Sequence, residues 1–139
     1  MVILPWVFLD YADDSGTNRI KAWLADLPAA VKNKVRSKFL WVIIHHAALG
    51  QPLDRDFFQS LVGTHSGLIA IHFTVKGIAY RPLCCYGARR GEVVLLAGAT
   101  EHNDHYRPQG IRNTALARRE EVLADGKRAV PTCLFEEIN

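Results

Sequence analysis

Apolar residues recur along this chain in two rhythms, first at helical spacing and then in alternation. Ile20, Trp23, Leu24 and Leu27 stand at i, i+3, i+4 and i+7, which predicts a helix with one narrow apolar stripe, capped by Ser15 or Thr17. Pro28 suits the first turn of a second helix, running from about Pro28 to Leu49 with Val31, Val35, Phe39, Val42 and Ile43 inward and Gly50 as its stop. Together they make a helical hairpin. Ahead of it, Trp6 to Asp10 reads as a short edge strand followed by a polar loop through Gly16. Gln51 to Val62 is a connector whose Phe57, Phe58 and Leu61 tuck against the core.

The second rhythm begins at Gly67. Through Val75, Ile69, Ile71, Phe73 and Val75 fall on one side and Leu68, Ala70, His72 and Thr74 on the other. Lys76 and Gly77 turn the chain into a strand from Ile78 to Tyr86, and Gly87 to Gly91 turn it into another from Glu92 to Gly98. Links this short make the strands antiparallel. Ile111 to Asp125 predicts a last helix carrying Ile111, Ala115, Leu116 and Leu123, closed by Gly126. The order of elements predicts an α+β fold: an N-terminal strand and helical hairpin packed on one face of a twisted antiparallel sheet, with a C-terminal helix. The opposite face is expected to stay open as a concavity for a ligand. One domain spans residues 1–126, and residues 127–139 form a tail without clear periodicity.

Composition narrows the class. A chain of 139 residues with 49% hydrophobic and 22% charged residues suits one globular domain and excludes a disordered chain. No run approaches the ~20 apolar residues of a membrane helix, and Val2 to Leu9, broken by Pro5, lacks the basic start of a secretion signal. Cys84 and Cys85 are adjacent and would leave a strand on opposite faces, so with Cys133 they point to a reduced, cytoplasmic protein. The net charge of +3 permits a polyanionic partner. Lys32, Lys34, Arg36 and Lys38 gather on the second helix, and most arginines fall in the C-terminal half.

The chemistry these residues suggest is cleavage of a phosphodiester. Cutting RNA needs a base for the 2'-hydroxyl, an acid for the leaving 5'-oxygen and cations for the phosphorus oxygens. A turn at Lys76 and Gly77 sets Val75 beside Ile78, Thr74 beside Ala79 and His72 across from Arg81. Arg81, an arginine inside an apolar strand, needs an anion or an acidic partner: a phosphate held bidentately, or an internal salt bridge. Glu101, His102, Asn103, Asp104, His105, Tyr106 and Arg107 form a second polar cluster, in which His105 lies beside Asp104 and Tyr106. His45 with His46, Cys84 with Cys85 and His102 with His105 show no standard zinc spacing, and no metal or cofactor is expected. Neither a phosphate-binding glycine loop nor a Gly-x-Ser-x-Gly elbow is present.

Several segments together resemble the phage-derived HigB-like branch of the RelE toxin superfamily. They are Trp6-Val7-Phe8-Leu9-Asp10, Trp23-Leu24-Ala25-Asp26-Leu27, Gly67-Leu68-Ile69-Ala70-Ile71-His72-Phe73, Tyr80-Arg81-Pro82-Leu83 and Val93-Val94-Leu95-Leu96-Ala97-Gly98, in the family's order and approximate spacing across Trp6 to Leu123. The resemblance implies a toxin of a type II toxin-antitoxin module, an endoribonuclease that cuts mRNA on the ribosome without a metal. Its implied partners are mRNA, the ribosome and a small helix-turn-helix antitoxin. Arg81 matches the family's phosphate-contacting arginine, while His72 stands where many members have arginine. Glu101 and His102 take the place of paired lysines. The expected catalytic set is Arg81, with His72 or His105 as acid or base and Tyr106 stacking on or orienting a nucleotide. Lys76, His102 and Arg107 are expected to bind substrate. The alternative is a catalytically weakened relative that serves as a non-enzymatic binding or regulatory module.

Overall fold

Two sheets meet at a corner in the computed structural model, which describes residues 6–46 and 53–136. The chain runs β1 (Val7–Tyr11), α1 (Arg19–Ala25), α2 (Lys32–His46), β2 (Phe58–Ser60), β3 (Ile69–Ile71), β4 (Phe73–Val75), β5 (Ile78–Tyr80), β6 (Leu83–Tyr86), β7 (Glu92–Ala97), β8 (Thr100–His102), β9 (His105–Arg107), α3 (Ile111–Ala124) and β10 (Ala129–Pro131). A six-stranded sheet has the order β10-β1-β7-β6-β3-β2 and a four-stranded sheet the order β4-β5-β8-β9. The class is α+β. The larger sheet is mixed rather than wholly antiparallel, because β1 runs parallel to β7, with Val7 beside Glu92 and Asp10 beside Leu95.

The helical hairpin forms where the stripe requires it. Asn18 caps α1 in place of Ser15 or Thr17, its Oδ1 accepting from the amides of Ile20 and Lys21. Ile20 and Leu24 are buried, as are Val31, Val35, Phe39, Val42 and Ile43. The expected end of the second helix at Leu49 and Gly50 lies outside the described residues. Asp10 carries the hairpin's link to the sheet: wholly buried on β1, its Oδ2 accepts from Asn18 Nδ2 and the Cys133 amide, each at 2.8 Å.

The expected open face is closed. Val93 and Leu95 of β7 pack with the helical hairpin, while Val94 and Leu96 pack with Ile111, Ala115 and Val122 of α3. Cys84 and Cys85 divide in the same way, one to each core. A strand this continuously apolar buries both faces, each aliphatic side chain contributing roughly 1.5–3 kcal/mol. On α3 the inward residue is Val122, and Leu123 is exposed. The segment after Gly126 joins the fold as well, β10 pairing antiparallel with β1 and Cys133 and Leu134 entering the core beside α2.

Two of the long strands expected from alternation are interrupted, and the third ends near its expected limit at Gly98, all at a common level. The first breaks at His72, the second at Arg81 and Pro82, and the third stops before Gly98 and Ala99. Pro82 has no N–H to give the ladder, and the Arg81 amide bonds instead to the Ala99 carbonyl at 2.8 Å. Past this corner the strands continue as β4, β5 and β8, and a tight turn with positive φ at Asn103 and Asp104 adds β9.

Candidate functional site

Register decides which polar groups meet. Phe73 pairs with Tyr80, Thr74 with Ala79 and Val75 with Ile78, the register expected from the turn at Lys76 and Gly77, both with positive φ. Continued by one residue, it sets His72 across from Arg81 at the corner. Ala79 pairs with Glu101 and Glu101 with Tyr106. Alternation therefore places His72, Arg81, Glu101 and Tyr106 on one face of the small sheet. The other face carries Phe73 and Tyr80, whose rings stack at 5.6 Å between centroids within the core of the helical hairpin.

This division separates the expected site residues. His102, His105 and Arg107 alternate with Glu101 and Tyr106, so they belong to the opposite face, where all three are exposed. Lys76 is exposed at the hairpin turn. The structure thus assembles His72, Arg81 and Tyr106 and leaves the four others away from them.

Arg81 has found an internal anion. Its Nε donates to Glu101 Oε1 at 3.1 Å, and its Nη1 donates to the Tyr80 carbonyl at 2.9 Å and the Phe73 carbonyl at 3.5 Å. The side chain is only 15% exposed, against 26% for Glu101, so the pair is partly shielded from water. Of the two partners its sequence position called for, the carboxylate is the one present. Nη2 keeps no hydrogen bond or ion pair among the described residues.

Electrostatics set the protonation of the neighbours. Burial, and then the Arg81 charge, hold the His72 imidazole below its ordinary value of 6.5 against an opposing pull from Glu101. At neutral pH the ring is an uncharged base. Burial and Glu101 push the Tyr106 phenol up, with Arg81 and Arg112 opposing, so it remains an O–H donor. Arg112 of α3 lies over the Tyr106 ring at 4.9 Å from its centroid. Sequence reasoning passed over Arg112 as one of several helical arginines, and it did not pair Glu101 with Arg81. The Asn103-Asp104 dipeptide, which tolerates left-handed backbone, signalled only the turn that folds β9 back on β8 and sets Tyr106 beside Glu101.

The cysteines offer no nucleophile. Burial pushes Cys84 well up, Cys85 to about 11 and Cys133 to about 12. Among the described residues, no group of three or more His, Cys, Asp or Glu side chains is placed to hold a metal ion, and no helix is long and apolar enough to cross a membrane. No protein-family model, no curated protein and no solved structure matches the chain.

Proposed function

We propose that this chain is a toxin of a type II toxin-antitoxin module that acts on RNA at the polar face of the small sheet. The reading rests on one observation: a neutral imidazole, a guanidinium and a protonated phenol share that face, on His72, Arg81 and Tyr106. His72 would take the proton of a 2'-hydroxyl as that oxygen attacks phosphorus. Tyr106 would return a proton to the departing 5'-oxygen, and Nη2 of Arg81 would meet a phosphate oxygen. The resemblance to the HigB-like branch of the RelE superfamily adds the substrate, mRNA on the ribosome, the helix-turn-helix antitoxin as partner, and the cytoplasm as location.

Glu101 shapes the rate expected of this site. It neutralises the arginine that must stabilise the phosphorane, so cleavage is slow while the ion pair holds. Purified protein incubated with mRNA and ribosomes in the presence of chelator should cut the message weakly. Glu101→Gln should cut at least tenfold faster, and Arg81→Ala should abolish cutting with the fold intact.

The same ion pair favours a second reading, a weakened relative that binds without catalysis. A face whose guanidinium is charge-balanced suits holding a partner better than stabilising a trigonal-bipyramidal phosphate. No cleavage by either the natural chain or Glu101→Gln, combined with retained RNA or antitoxin binding, selects the binder.

A further inference from the structure

Tyr106 stands between two arginines whose charges are differently engaged. Arg81 is neutralised by Glu101, whereas Arg112 contacts the Tyr106 ring and makes no ion pair among the described residues. A cation over an aromatic face is held in position without losing its charge. Beside it opens a cavity of about 300 Å³, between β9, the start of α3 and the turn Gly63–His65. Its walls include Tyr106, Gln109, Arg112, Asn113 and His65, and no carboxylate.

The hydrogen bonding of the walls makes the cavity rich in donors. His65 Nε2 lies 3.0 Å from Asn113 Oδ1. The amide oxygen only accepts, so this bond leaves the Asn113 NH₂ free to donate elsewhere. Arg112, held over the Tyr106 ring, presents a guanidinium fork that matches a phosphate in geometry and charge. The volume lies at the lower end of small-molecule sites, enough for a phosphate with its sugar.

We propose that this cavity is a phosphate subsite, with Arg112 as its charged ligand, Asn113 as a donor and the Tyr106 ring as the wall that holds Arg112 in place. Resting on the RNA reading, it receives the phosphate of a nucleotide next to the one facing His72 and Arg81, and so anchors the strand with a cation that no carboxylate neutralises.

The test is an NMR titration of the full chain with inorganic phosphate, uridine 5'-monophosphate, uridine and a short RNA, read on the His65 and Tyr106 rings. Phosphate and the monophosphate should shift both rings while uridine shifts neither, and the RNA should bind at least tenfold more tightly than inorganic phosphate. Arg112→Gln should raise the monophosphate dissociation constant about tenfold, whereas Arg89→Gln, an equal loss of charge at the exposed turn before β7, should not change it. Should Arg112→Gln fail to fold, Asn113→Ala at an exposed helix position should weaken binding several-fold. Absence of shifts at millimolar phosphate, or affinity indifferent to both substitutions, overturns the subsite. RNA binding no tighter than phosphate overturns its link to RNA. Phosphate binding that persists while Glu101→Gln fails to cut RNA keeps the subsite and rejects the nuclease.

Discussion

The two sheets share three runs of chain, β3 into β4, β5 into β6 and β7 into β8, but solve different problems. In the larger sheet, β3 and β7 are buried on both faces, with Val93 through Leu96 alternating between the helical hairpin and α3. In the smaller sheet only one face is apolar: Phe73 and Val75 are buried and Thr74 between them is exposed. His72 and Arg81 lie at the level where strands pass from double cover to single cover. The doubly covered sheet fixes the strand directions, and the face released beyond the corner can therefore carry polar groups without loss of register. The polar face of the small sheet begins where the second layer of helix ends.

Breaking the corner should have the largest effect. A Cβ placed at Gly98, between β7 and β8, would lie 1.8 Å from Trp23 Cδ2. Trp23 has little room to retreat, since its ring meets Phe39 and Tyr80 edge-on at 6.5 and 6.2 Å between centroids. Gly98→Ala should therefore cost on the order of 3 kcal/mol or more, read as a lower urea midpoint. A midpoint equal to that of the natural chain would mean that the two sheets are not locked together at this joint.

Untying the larger sheet from its ends comes next. Asp10→Ala removes the acceptor shared by Asn18 and the Cys133 amide, leaving a buried N–H unpaired beside the core. The expected loss is about 2–3 kcal/mol. It should be accompanied by faster amide exchange in β10 and at Cys133, while β4, β5 and β8 keep their protection. Equal loss of protection in both sheets would contradict the separation drawn between them.

What could be read in the sequence was local. The hairpin at Lys76 and Gly77 announced itself through a glycine at positive φ, and the register that followed from it holds through Phe73 and Tyr80. The inward residues of α2 follow from helical spacing alone. The second helical layer had a signal that the expectation of an open face passed over: Val93 through Ala97 is a continuous apolar run, and a strand with one open face would alternate. Contacts between distant segments were not legible. β1 pairs with β7 across some eighty residues, and β10 carries no periodicity because it is three residues long and spans an edge. The partner of Arg81 depended on the pairing of β5 with β8, which no single strand's pattern contains. The same alternation that groups Glu101 and Tyr106 with Arg81 sends His105 to the other face, so one residue of register separated the expected acid from its base.

The smallest expected effect is the most direct probe of where cover ends. Burial lowers the His72 pKa in the folded chain below its unfolded value near 6.5. As pH falls through 6.5, the unfolded chain therefore binds a proton that the folded chain declines, and stability drops until the folded ring also titrates. Urea midpoints measured from pH 8 to pH 4.5 should fall more steeply for the natural chain than for His72→Gln, with the two curves diverging below pH 6.5 and running parallel once the folded ring is protonated. Glu101→Gln sharpens the comparison. Glu101 now opposes the lowering, so its neutralisation should move the His72 titration, followed by NMR, further down. A His72 that titrates at or above 6.5 would mean that burial does not govern the ring. The corner would then lie outside the covered sheet, and the neutral base of the proposed RNA cleavage would owe nothing to the fold.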